Sequence, residues 1–226
     1  MKVKRQFGPA GHWMFRTPVN SVVRHDRASL DAMLDMLVVA ATVLERHDLL
    51  RPSELTFYDW LSVKGETRPP EPDTHVAMRS VAEIREHARS VLDELDRQRG
   101  FRRVRRVQIT GRGVALDAAG QAGVIDDLVW LYGYELDSYY IELATQRDLW
   151  MPYSFTGEPQ PELAAHNAPR LERALRDVES ALGLPCDRDG DLTRFAVSKC
   201  YAMVNHLYDD NDPIALDSPD TYLEPG

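Results

Sequence analysis

Acidic side chains are frequent between residues 124 and 155 of this 226-residue chain. Paired carboxylates can carry out acid/base chemistry or hold a metal ion when a fold brings two of them together. Their spacing fixes no such distance, and strand alternation explains several of them as solvent-facing. The acids of this stretch are Asp126, Asp127, Glu135, Asp137, Glu142 and Asp148. A catalytic carboxylate pocket is therefore an alternative hypothesis rather than the leading one.

The same stretch is rich in aromatic side chains. It contains Trp130, Tyr132, Tyr134, Tyr139, Tyr140, Trp150, Tyr153 and Phe155. Tyrosine and tryptophan are enriched at the energetic centres of protein interfaces, and an acidic field speeds encounter with a basic partner. We therefore predict a partner-binding surface that includes Asp126, Asp127, Tyr134, Glu135, Asp137, Tyr139 and Trp150.

A basic segment precedes this stretch. Residues 97 to 112 contain seven arginines and no acid. Because the guanidinium fork matches the geometry of carboxylates and phosphates, Arg103, Arg105 and Arg106 form the alternative candidate, an anion-binding site. The two faces of this predicted strand are both mixed, which is also typical of an edge strand protected by charge. Both interpretations stay open at this point.

Metal and cofactor sites have little support in the sequence. The run Asp187, Asp189 and Asp191 is similar to the first half of a calcium-binding loop, but Leu192 stands where the loop requires glycine and Ser198 where it requires glutamate. The seven histidines form no metal-spaced pair. Cys186 and Cys200 are expected to be small buried residues rather than a disulfide. We expect no metal and no cofactor.

Composition bears on three further classes of protein: nucleic-acid-binding, membrane and secreted proteins. The formal charge of −9 combines a first half of +5 (residues 1–112) with a second half of −14, which argues against general nucleic-acid binding. No apolar run approaches the ~18 residues that span a bilayer. The charged N-terminus is not followed by an apolar stretch, so a cytoplasmic protein is expected.

Periodicity predicts the elements that must position these residues. Helices are expected over residues 29–46, 80–99 and 167–182, with Asn167 as the cap of the last one. Gly183 is expected to end the last of these helices. Strands are expected over 55–63, 101–110 and 114–117 and within 124–155, with Gly111, Arg112 and Gly113 as a turn between the second and the third. The order predicts an α+β fold, a mostly antiparallel sheet with about three helices packed on it. One domain over residues 1–226 is favoured, with the loop 65–74 as the candidate boundary. The first helix is apolar nearly all round, which leaves a homo-oligomer open.

A resemblance bears on function. The segments Asp148–Tyr153, Pro159–Glu162, Asn167–Leu171 and Ala174–Leu175 resemble a group of small, acidic actinobacterial proteins, some of which are similar to immunity proteins of toxin–immunity pairs. The resemblance implies a non-enzymatic protein that binds a cognate toxin. The leading hypothesis is thus a cytosolic immunity-type protein whose acidic, Tyr/Trp-rich surface occludes the basic cleft of a toxin enzyme. The alternative is a hydrolase-like enzyme or an anionic-ligand-binding domain with an Asp/Glu pocket and nearby arginines.

Overall fold

A computed structural model shows the α+β fold that the sequence predicts. It describes residues 11–18, 27–59, 62–63, 66–67, 74–99, 104–135, 138–155, 157–186, 189–192, 196–199, 201–205, 208–209 and 212–213. Within these ranges the helices are α1 (Arg27–Arg46), α2 (Ile84–Arg99, preceded by the 3-10 turn Val81–Glu83) and α3 (Pro161–Leu182). None of the described helices is long and apolar enough to cross a membrane.

The described strands form one large sheet and three small ones. In chain order they are β1 (Gly11–Arg16), β2 (Arg51–Asp59), β3 (Ser62–Val63), β4 (Glu66–Thr67), β5 (Thr74–Ala77), β6 (Val104–Leu116), β7 (Ala122–Asp126), β8 (Trp130–Glu135), β9 (Tyr139–Thr145), β10 (Asp189–Leu192), β11 (Ala196–Lys199), β12 (Ala202–Asn205), β13 (Tyr208–Asp209) and β14 (Asp212–Pro213). Strands β10 to β12 form a separate three-stranded sheet, and β3–β4 and β13–β14 are two-stranded pairs.

The large sheet has seven strands, and every neighbouring pair is antiparallel. Its order is β1-β9-β8-β6-β2-β5, and β7 pairs with the far half of β6. The first half of β6 pairs with β8 on the same side. The long strand β6 therefore lies in the middle of the sheet, and the edge-strand interpretation of the basic segment is wrong.

All three helices lie on one side of this sheet. Helix α1 crosses β8 and β9, and both α2 and α3 pack against α1. The helix approaches closely because β8 has Gly133 at the crossing: a Cβ there would lie 2.8 Å from the Leu37 side chain and 3.0 Å from Met33. Met33 and Leu37 are completely buried. The apolar face of α1 therefore packs against other elements of the same chain.

Two sequence predictions about local structure are wrong. Gly111 and Gly113 were expected to form a turn, but β6 runs straight through them. A Cβ would lie 2.0 Å from the Arg51 carbonyl oxygen at Gly111 and 2.4 Å from that of Leu49 at Gly113. These glycines thus permit close approach of Leu49 and of Arg51, at the start of β2, rather than a reversal of the chain.

Helix α3 begins at Pro161, six residues before the expected cap. Proline is well suited to a first helical turn because its missing N–H needs no partner there. Asn167 lies inside the helix and is fully buried, with its amide bonded to the backbone of β6. The end of the helix is as predicted, since Gly183 adopts φ 65°.

Candidate functional site: the helix-free face of the sheet

The side of the large sheet that carries no described helix is lined by polar and aromatic side chains; we call it the helix-free face. Along β8, Leu131 and Gly133 point to the helices, so Trp130, Tyr132 and Tyr134 share the opposite face. Strand register extends this face in rows across the sheet. Most of its side chains are half-buried.

One row crosses five strands and consists of tyrosines and arginines; we call it the tyrosine–arginine row. Its register partners in order are Tyr58 (β2), Arg106 (β6), Tyr134 (β8), Tyr140 (β9) and Arg16 (β1). Such directly opposed side chains are the pairs that stabilise a sheet. The row is a continuous strip of three phenol rings and two guanidinium groups.

The contacts within this row are close. The guanidinium carbon of Arg106 lies 3.6 Å from the centre of the Tyr58 ring and 5.5 Å from that of Tyr132. The Tyr134 and Tyr140 rings are stacked with centroids 4.6 Å apart and planes 13° apart. The Arg16 guanidinium lies 5.5 Å over Tyr140. Each ring is thus held by its neighbours, which fixes the surface before any partner arrives.

The adjacent row is joined by hydrogen bonds. Its members are His75, Thr56, Gln108, Tyr132, Glu142 and Met14. The Tyr58 hydroxyl donates to the Gln108 carbonyl oxygen, and Gln108 Nε2 donates to the Tyr132 hydroxyl at 3.2 Å. Gln108 is only 8% exposed. A buried amide with both ends bonded locks the orientation of two tyrosines.

The acids of the face are paired with histidines. His12 Nδ1 lies 3.2 Å from Glu142 Oε1, and both side chains are 12% exposed. His75 Nδ1 lies 3.1 Å from Glu54 Oε1, next to the Thr56 hydroxyl. A carboxylate that faces an imidazole orients its ring and can accept its proton. Each of these carboxylates therefore has a hydrogen-bond partner on the face itself.

Burial controls the ionisation of the tyrosines. It raises the pKa of Tyr132, Tyr134 and Tyr140 above the ordinary value for a phenol, and the nearby Glu142 carboxylate raises all three further. The positive charge of Arg106 partly opposes this increase in each pKa. The three phenols are therefore neutral and able to donate hydrogen bonds at physiological pH.

The predicted acids Asp126 and Asp127 lie at the corner where β7 leads into β8. The Asp126 side chain is 76% exposed, with Oδ1 2.9 Å from Arg112 Nε. Asp127 adopts φ 51°, in the left-handed region. Arg147 holds the corner from outside, since its NH2 donates to the Asp126 carbonyl at 2.7 Å. These acids form a charged rim at the sheet end, apart from the tyrosine–arginine row.

Trp150 and Tyr139 are not on the helix-free face, which corrects the expected surface. Trp150 is 1% exposed, and its indole N–H donates to the Thr145 hydroxyl at 3.1 Å. Tyr139 shares the helix-covered face with Ile141 and packs against the core. Tyr134 alone of the predicted aromatic anchors lies on the helix-free face. Glu135 ends β8 and pairs with Tyr139 in register, but its side chain and all of Asp137 lie outside the described residues.

The structure brings one of the three candidate arginines into the site. Arg106 is half-buried in the tyrosine–arginine row. Arg105 is part of β6 with a side chain outside the described set, and Arg103 lies outside the described residues altogether. Tyr58, Gln108, Tyr132, Tyr140 and Arg16 were missed as site residues. The alternation of Trp130, Tyr132 and Tyr134 was a usable signal, whereas the other strands join them only through pairing.

The carboxylates of the second half are dispersed over separate elements. Asp148 accepts a hydrogen bond from the Phe155 N–H at 3.0 Å, Glu142 faces His12, and Asp126 pairs with Arg112. Within the described part of the chain, no group of three or more His, Cys, Asp or Glu side chains could hold a metal ion. No known protein family, curated protein or solved structure matches the chain significantly.

Proposed function

We propose that this chain is a protein-binding module of the immunity type, which occludes the active site of a cognate toxin enzyme with the helix-free face of its large sheet. The observation that carries the proposal is the preassembled tyrosine–arginine row. Tyrosine, tryptophan and arginine are the residues most enriched among those that dominate binding energy. The resemblance of segments between Asp148 and Leu175 to small, acidic actinobacterial proteins, some of them similar to immunity proteins, supports the same class.

The row is suited to tight binding because its side chains are already ordered. Ordering a flexible side chain at an interface costs roughly 0.5–1.5 kcal/mol, which a fixed ring avoids. Tyr134 and Tyr140 are fixed by mutual stacking, and Tyr58 and Tyr132 by Gln108. A rigid sheet also positions contact residues more accurately than a loop does.

The size of the face fits an interface centre. The rows extend over six strands from β5 to β1, and the five spacings of ~4.8 Å between them make about 24 Å. A standard interface buries roughly 800 Å² on each partner, with an apolar centre and a polar rim. Asp126 and Asp127 at the β7–β8 corner would belong to this rim, where their charge acts mainly on the rate of encounter with a basic cleft.

The first step of the test is capture of the partner. The full chain, tagged at one terminus, is mixed with the purified product of the neighbouring reading frame, and the enzymatic activity of that product is measured with and without the chain. We expect a complex of defined stoichiometry and loss of activity. A complex that leaves the activity unchanged would contradict occlusion, and no complex at all would contradict the proposed partner.

We predict that the double variant Asp126→Lys/Asp127→Asn binds this partner about tenfold more slowly at low salt, and that 0.5 M NaCl abolishes the difference, because rim charges act through long-range steering. Asparagine is used at position 127 because it tolerates the left-handed backbone. Association rates measured by stopped-flow fluorescence at two salt concentrations check this.

Asp35→Lys is the control for the rim, with a change in net charge of +2 against +3 for the double variant. Asp35 is also an exposed acid in a single ion pair, 2.8 Å from Arg85, but it lies on α1 on the other side of the molecule. We expect its association rate to change less than twofold. An equal slowing in both variants would show that net charge alone matters and would remove the corner acids from the interface.

The competing hypothesis, an enzyme or a binding domain for an anionic ligand, is favoured by one observation only. Arg106 lies half-buried in the site without a carboxylate partner among the described residues. The acids that this hypothesis requires in one pocket instead lie on separate elements with their own partners. The arginine therefore needs an explanation within the binding proposal.

A further inference from the structure

We propose that the tyrosine–arginine row is a receptor for two carboxylates of the partner protein, one held by Arg106 and the other by Arg16. This inference rests on the proposed function in that the occupant is a protein. It goes beyond it by stating which chemistry the partner presents to the centre of the face: a pair of acidic side chains, rather than the basic surface expected from the net charge of the chain.

The environment of Arg106 is incomplete without a ligand. Its guanidinium lies against the Tyr58 ring, and its Nε atom is buried with no hydrogen-bond partner. No salt bridge joins Arg106 to any residue that the structure describes. A half-buried cation without a counter-ion is costly, and the ring faces compensate only partly. Because Nε itself is buried, a partner's carboxylate would accept from the terminal amino groups of this guanidinium and supply the missing counter-ion.

Arg16 repeats this arrangement at the other end of the row. It lies over the Tyr140 ring, is exposed, and has no carboxylate partner within the described ranges. Arg106 and Arg16 are separated by three strand spacings, which is about 14 Å at ~4.8 Å each. An extended peptide advances ~3.4 Å per residue, so carboxylates at positions i and i+4 span the same distance.

The cationic groups that this face offers to a partner are its two arginines. Its two acids, Glu142 and Glu54, face His12 and His75 at 3.2 Å and 3.1 Å. Among the described residues, the two arginines have ring contacts and no carboxylate partner. Because the two carboxylates already face histidines, the two guanidinium forks remain for a partner, and such forks bind carboxylates in a planar, bidentate manner.

A protein carboxylate fits this row better than single-stranded nucleic acid does. Nucleic acid is held by stacking of its bases on aromatic rings and by neutralisation of several phosphates. The Tyr134 and Tyr140 rings already stack on each other, so these faces are occupied. Two arginines within a chain of charge −9 are also a small electrostatic contribution against a polyanion.

The test is a titration of the full-length chain, labelled with ¹⁵N, with the peptide acetyl-Glu-Ser-Thr-Ser-Glu-amide at low salt. The Nε–H resonances of arginine report a change in the environment of each guanidinium group. We expect the resonances of Arg106 and Arg16 to shift with a common millimolar Kd, and the isomer with adjacent glutamates (acetyl-Glu-Glu-Ser-Thr-Ser-amide) to bind at least threefold more weakly. The lysine analogue of the first peptide is expected not to bind.

Variants assign the binding to the row. Arg106→Gln is expected to raise the Kd of the peptide at least tenfold and Arg16→Gln about threefold. Arg112→Gln is the control, because Arg112 is on the same strand β6 but already pairs with Asp126. Because Arg16 is exposed on strand β1, its variant keeps the test valid if Arg106→Gln does not fold. Equal affinity of all three variants would overturn the proposal, as would absence of binding.

Two further outcomes separate the hypotheses. Pentauridylate RNA that binds tenfold more tightly than the peptide, with the same arginine shifts, would overturn the protein occupant in favour of nucleic acid. Arginine-dependent peptide binding without capture of a toxin would leave this inference standing and contradict the proposed function. Capture of a toxin whose affinity does not change in Arg106→Gln and Arg16→Gln would support the proposed function and contradict this inference.

Discussion

Replacing Trp150 with alanine is expected to lower the free energy of unfolding by about 4 kcal/mol. The indole is 1% exposed, and its N–H donates to the Thr145 hydroxyl, which itself donates to the Leu128 carbonyl at 2.9 Å. Truncation removes a large buried side chain and leaves a cavity beside this chain of hydrogen bonds. Guanidinium-induced unfolding followed by circular dichroism measures the loss.

Trp130→Ala and Trp150→Phe are the controls for this prediction. Trp130 is the same residue type but lies half-buried on the helix-free face, so its loss should be about 1–2 kcal/mol. Trp150→Phe keeps most of the packing and loses one hydrogen bond, which costs about 1–2 kcal/mol. We expect Trp150→Phe to bind the partner as the unsubstituted chain does. A Trp150→Ala loss below that of Trp130→Ala would show that the core is not where the structure places it.

Asn167→Ala is expected to cost about 3 kcal/mol, because it leaves two backbone groups of a central strand without partners. Asn167 Nδ2 donates to the Leu116 carbonyl at 2.7 Å and its Oδ1 accepts from the Leu116 N–H at 2.9 Å. Nδ2 also donates to the Leu163 carbonyl within α3. The amide thus bonds to β6 as a neighbouring strand would and connects it to the helix.

Asn167→Asp and His166→Ala show whether the hydrogen bonds of the Asn167 amide, rather than the volume of its side chain, stabilise the fold. Aspartate has the same shape, but it cannot donate to the Leu116 and Leu163 carbonyls when ionised, so it should cost at least as much as alanine at pH 7. His166 is exposed and adjacent, and its replacement should change stability by less than about 0.5 kcal/mol. An Asn167→Asp variant as stable as the unsubstituted chain would refute the strand-like bonding of the amide.

The fold class followed from the sequence because it depends on local periodicity. The apolar stripe of α1 and the Gly183 stop of α3 are both local signals, and both were read correctly. The errors concern residues whose partners are distant in sequence. Glycine is needed at positions 111 and 113 because other segments approach the backbone there. Asn167 is buried against a strand residue 51 positions away in the sequence. Such residues look like turn and cap signals when only their neighbours are considered.

The candidate site could be reached from the sequence only in part, for the same reason. Alternation along β8 would have grouped Tyr132 with Tyr134, but nothing local says which face α1 covers. The row exists only because β2, β6, β9 and β1 align with β8 in one register, and that alignment is a property of the whole sheet. Trp150 was placed on the surface wrongly because the sequence does not show its partner. The Thr145 hydroxyl accepts the indole N–H, so the indole can be completely buried without an unpaired donor.

The central claim is that the helix-free face is the binding face, and Tyr140→Ala compared with Tyr139→Ala tests it most directly. The two tyrosines are adjacent on β9, are both half-buried, and lie on opposite faces of the sheet. Isothermal titration with the captured partner should give a Kd about 30-fold weaker for Tyr140→Ala, the equivalent of about 2 kcal/mol at an interface centre. Tyr139→Ala should remain within threefold, although it disturbs the core. The reverse order, or equal affinities, would contradict the account.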